Sequence, residues 1–64
     1  MNNEDRKRAI IDLWLKRPPD ERTRNHVFDF YGWLQQERRE LIPATHKGKD
    51  PYQLLQAWLT PYLE

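Results

Sequence analysis

The prolines set the limits on this fold. Pro18, Pro19, Pro43, Pro51 and Pro61 all fall between apolar runs and never within one. Proline has no N–H to donate, and it drives the residue before it out of the α region, so each opens or closes a helix. Three stretches remain for regular structure. Each carries apolar residues at helical spacing rather than the alternation of a strand. The expected fold class is all-α: a compact three-helix domain over residues 1–64, with helices at about 4–16, 24–40 and 51–60 and short proline-bounded connections.

In the first helix, Glu4 and Asp5 open the first turn and Lys16-Arg17 close the last, which complements the helix dipole. Ile10, Ile11, Leu13, Trp14 and Leu15 span an arc of roughly 200°, about twice the stripe of a one-sided surface helix. This helix is therefore expected to be covered on two sides, by its own domain or by a partner. For the second helix, Thr23 is the expected N-cap, with an earlier start at Pro19 as the alternative. Its inner stripe is Val27, Phe30, Tyr31, Leu34 and Leu41. Arg38 falls in the middle of that stripe, so the helix is expected to fray there, or Arg38 to snorkel or pair. Asp50-Pro51-Tyr52-Gln53 is the clearest local signal: Asp50 as N-cap, Pro51 at N1, and Gln53 placed to complete a capping box. Leu54, Leu55, Trp58 and Leu59 share one face of the third helix, and Tyr62-Leu63 is expected to fold back on the core.

Several functional classes are excluded by composition. A domain this small buries only about 60% of its unfolded surface, and such domains lean on disulfides, metals or association. Cysteine is absent, and His26 and His46 stand 20 residues apart, outside any zinc-ligand spacing. No metal or cofactor is expected. The chain has no serine, and Gly32 and Gly48 are too far apart to form a phosphate loop. Thr23, Thr45 and Thr60 read as cap or loop residues, His26 as a first-turn residue and His46 as a loop residue. No catalytic residue, and hence no enzyme, is expected. The opening Met1–Arg8 segment precedes no signal-peptide core, and the Ala9–Leu15 run is too short to cross a bilayer. The expected location is cytoplasmic. Arg6-Lys7-Arg8 before Ile10 and Ile11 gives a basic amphipathic start, but Asp5 and Asp12 dilute it as a membrane-surface element.

Association with another protein, or with a second copy of the chain, is the reading the sequence favours. Aromatic residues make up 12% of the chain, a large set for one small core to hide. Trp33 lies on one shoulder of the inner stripe of the second helix, among Asp29, Gln36, Glu37 and Glu40, and Phe28 lies on the other. An aromatic residue ringed by polar ones resembles an interface anchor. The expected partner-binding residues are Trp33 and Phe28, with Glu37 and Arg38 at the rim. Gly32 would then admit a partner backbone. The competing expectation is that Trp33 and Phe28 pack inside and Gly32 admits Trp14.

Nucleic-acid binding is the alternative, through Arg22, Arg24, Lys47 and Lys49. The charge balance weighs against it: 11 Lys and Arg against 10 Asp and Glu leave +1, with no strongly basic segment. The third helix exposes Gln53 and Gln56 but no Lys or Arg, unlike a groove-reading helix. Thr23, Val27, Tyr31, Trp33 and Leu34 resemble the first helix of the core-binding domain of tyrosine recombinases. The likeness is confined to that stretch, nothing corresponds to the catalytic domain of that family, and no function is carried over.

Overall fold

Asn2 starts the first helix. In extended conformation (φ −90°, ψ 173°), its side-chain oxygen accepts the Asp5 N–H at 2.9 Å, and α1 runs Asn3–Leu15. The cap sits before the acidic pair, which moves the helix one residue earlier than its charges suggest. The structure, a computed structural model, describes residues 2–45 and 48–64. Pro18 is extended, and Pro19–Glu21 form a 3₁₀ turn rather than an early start to the next helix.

The second helix, α2, runs Arg24–Glu37. Thr23 holds the N-cap position, but its hydroxyl pairs with His26 Nδ1 at 2.7 Å and caps no backbone N–H. The expected span of 24–40 is too long. Arg38 leaves the helix (φ −138°, ψ 57°), and a 3₁₀ turn over Arg39–Leu41 follows. An unbroken helix would aim the Arg38 guanidinium into the core. The break turns it outward to Glu40, with Nε donating to the carboxylate at 2.7 Å, and delivers Leu41 to the interior instead.

The third helix, α3, runs Pro51–Leu59. Asp50 accepts the Tyr52 N–H at 3.0 Å, so the cap bond goes to the second helical residue, not to Gln53. Thr60 opens a 3₁₀ turn through Tyr62, and its hydroxyl donates to the Gln56 carbonyl at 2.7 Å.

Ile10 and Trp14 from α1, Val27, Phe30 and Leu34 from α2, and Leu55 and Leu59 from α3 meet around Leu41 in one core. No polar or charged residue is wholly buried among the described residues, although Arg22 Nε is shielded from solvent without a hydrogen-bond partner. Two clasps close the bundle. Asn3 bonds both ways with the Ala44 backbone, at 2.8 and 3.1 Å, and Arg6 Nε donates to the Glu40 carbonyl at 3.2 Å. At the other end the tail folds back, as expected: Trp14 Nε1 donates to the Tyr62 carbonyl at 3.2 Å, and Leu63 packs on the core. There is no strand among the described residues, and no helix there is long and apolar enough to cross a membrane. One expectation for α1 is not met within the chain: Leu15, at one edge of the wide apolar arc, stays exposed.

Candidate functional site

Three aromatic rings gather where the end of α1 meets the middle of α2: Trp14 and Phe30, which the core absorbs, and Trp33, which it does not. Phe30 is the hinge of this cluster. It is buried, meets the Trp14 ring edge-on (centroids 5.2 Å apart, 64°), and carries Trp33 nearly parallel at 6.0 Å and 14°. The Arg17 guanidinium lies 5.6 Å from the centroids of both Trp14 and Phe30. Such cation–π placement is worth about 0.5–1 kcal/mol at a partly exposed site, and the planar group shields the rings from water. Trp33 is left half uncovered, at 43% exposure. Leu13, Lys16 and Arg17 on one side and Asp29, Phe30 and Trp33 on the other enclose a groove of about 330 Å³.

The walls of the groove differ in charge. Lys16 and Arg17 sit on the α1 side, and Asp29 on the α2 side, with Glu37 exposed one turn beyond Trp33. The chain makes two ion pairs among the described residues, Arg38–Glu40 at 2.7 Å and Arg22–Glu64 at 3.9 Å. Neither engages the charges around the groove. The hydrogen bond from Arg38 holds the Glu40 carboxyl below its ordinary pKa, with a smaller contribution from the arginine charge. Arg38, expected at the rim, is thus committed to a neighbour on its own chain.

Phe28 is even more exposed than Trp33, at 67%, but it does not join this groove. Five helical residues carry the chain about 140° around the axis beyond one full turn, so the two rings occupy opposite shoulders of α2. Phe28 stands edge-on to Tyr52 at 5.8 Å, and Tyr52 in turn meets Tyr31 at 5.1 Å. Gly32 lies between the shoulders. A Cβ built there would meet nothing within 4 Å, so among the described residues neither Trp14 nor the backbone of another element approaches it. The expectation that Trp33 and Phe28 pack inside, with Gly32 admitting Trp14, is therefore wrong for the isolated chain. Among the described residues each ring has one aromatic neighbour, and the core is already filled by aliphatic residues with Trp14 and Phe30.

Of the basic residues of the nucleic-acid alternative, Arg22 is already engaged within the chain. The Arg22 side chain is only 15% exposed and faces Glu64, while its carbonyl accepts the Glu64 N–H at 3.0 Å. Arg24 is exposed in the first turn of α2, and Lys49 is exposed just before α3. Lys47, like His46, lies outside the described residues. Sequence reasoning did not single out Leu13, Lys16, Arg17 and Asp29 as site residues. Lys16-Arg17 already had a local explanation in the helix dipole, and only the register of α1 on α2 brings them to Trp33. No protein-family model, curated protein or solved structure matches this chain.

Proposed function

We propose that this chain is a non-enzymatic protein-association module that docks an apolar segment of another polypeptide in the groove beside Trp33. One observation carries the reading: a tryptophan 43% exposed, stacked on one face by Phe30, forms part of the wall of an open groove. A large aromatic ring already fixed by its neighbours loses little conformational entropy on binding, and interface hot spots are rich in such tryptophans. Arg17 braces the floor, and the charges on both walls supply a polar rim.

Selection of a displayed random-peptide library against the chain tests this. Enriched peptides are expected to share an apolar anchor and to lose binding to Trp33→Ala, while the variant keeps its helical circular dichroism. Peptides that bind Trp33→Ala as well as the parent would refute the assignment, and so would a variant that unfolds, because Trp33 would then belong to the core. A Trp33→Lys variant, whose stem still covers Phe30, separates a lost contact from a lost fold.

A further inference from the structure

We infer that the groove beside Trp33 takes a polypeptide segment that carries an acidic residue next to its apolar anchor, with the acid lying toward the α1 wall. The inference deepens the reading of the groove as a docking site and rests on it. Arg17 is the feature that selects the acid. Its guanidinium is held 5.6 Å from the centroids of both Trp14 and Phe30. The rings attract its charge, but they offer no oxygen to accept its N–H groups. The arginine side chains that donate hydrogen bonds among the described residues are those of Arg6, Arg38 and Arg39, and the ion pairs belong to Arg22 and Arg38. Arg17 is therefore a planar fork placed beside a half-exposed tryptophan, and no oxygen among the described residues accepts from its side chain. A carboxylate matches such a fork, with its two oxygens facing two N–H donors.

The rest of the groove defines the occupant further. Leu13, Phe30 and Trp33 line it together with Arg17, so the apolar anchor and the carboxylate are neighbours on the docked segment. Lys16, exposed and in no ion pair among the described residues, adds a second positive charge on the same wall. The negative end of the α1 dipole also lies at this wall and opposes an anion. The Lys16 and Arg17 N–H groups donate to the Leu13 and Trp14 carbonyls there, at 3.2 and 3.1 Å. Two full cationic charges outweigh the roughly half charge of a helix end. Asp29 stands on the α2 wall with Trp33 and repels a carboxylate on that side, so the acid faces α1 and the segment lies one way across the groove. Asp29 also weighs against a polyanion such as a nucleic acid, whose phosphates meet repulsion from one wall.

A displayed library of short peptides with a fixed central leucine and random flanks tests this on the whole chain. Enriched peptides are expected to carry Asp or Glu beside the leucine. In fluorescence anisotropy, changing that acid to its amide should weaken binding to the parent chain by about ten-fold or more, the worth of a charge-assisted hydrogen bond. Arg17→Lys, which keeps the charge and loses the fork, should weaken it by about ten-fold. Asp29→Asn should strengthen it by about two- to three-fold, as repulsion across the groove is removed. The change made in the peptide needs no altered protein, so the test stands even if an Arg17 variant folds poorly. Enriched peptides with neutral or basic flanks overturn the inference, as does an acid whose amide binds equally well. Polyglutamate or oligothymidylate binding as tightly as the selected peptide also overturns it, because charge alone would then suffice. If peptides without the acid still depend on Trp33, the docking site stands and only its acidic occupant is lost. Peptides indifferent to Trp33→Ala, or no enriched peptide at all, remove the docking site and this inference with it.

Discussion

Replacing Gly32 with alanine should make the isolated chain more stable. Gly32 sits in the interior of α2, where glycine costs about 1 kcal/mol relative to alanine through its backbone entropy. Two features of this chain let that amount be recovered almost whole. Gly32 is not among the positive-φ glycines, so alanine fits the backbone, and the added methyl meets no heavy atom within 4 Å, so no repulsion subtracts from the gain. For a domain of this size, about 1 kcal/mol shifts the thermal midpoint by about 4–8 °C. Thermal and urea unfolding followed by circular dichroism measures it. A midpoint that falls would mean that some part of the chain approaches Gly32 far more closely than described, and the packing of α2 would need revision.

Trp14→Ala is expected to cost about 3–5 kcal/mol, as for other fully buried aromatics. Domains hold about 0.05–0.15 kcal/mol per residue, so a chain this short should lose cooperative unfolding, which calorimetry would reveal. Asp50→Ala should cost about 1 kcal/mol and Thr23→Ala less, because only Asp50 accepts a helix N–H; equal losses in urea titrations would contradict this. The Glu40 carboxyl, lowered chiefly by the Arg38 hydrogen bond, favours the fold above its unfolded pKa. That support is lost as pH falls through the folded value. In an NMR titration the Glu40 midpoint should rise in Arg38→Gln, and an unchanged midpoint would show that the bond does not persist in solution.

Much of the fold was legible because proline and cap chemistry act locally. Asp50-Pro51 announces its helix wherever it stands, and Pro61 ends it. The break at Arg38 was legible only as a conflict, a cation in the middle of an apolar stripe, and its resolution needed to know that Leu41 could reach the core from a 3₁₀ turn. Asn2 went unread because the acidic pair after it gave an equally good helix start. The exposure of Trp33 and Phe28 follows from their angles on α2. The neighbour each one meets does not, because it depends on which shoulder faces α1 and which faces Tyr52. The pairing of Lys16 and Arg17 with Trp33 is a property of interhelical register, which no single segment encodes.

At the centre of this account stands a tryptophan that one copy of the chain leaves half uncovered. Fluorotryptophan labelling tests that directly, with the Trp33 resonance assigned by its loss in Trp33→Phe. In a dilute sample its fluorine shift should respond to exchange of H₂O for D₂O, while that of Trp14 should not. A Trp33 resonance as indifferent to solvent as that of Trp14 in a single dilute copy would contradict the account.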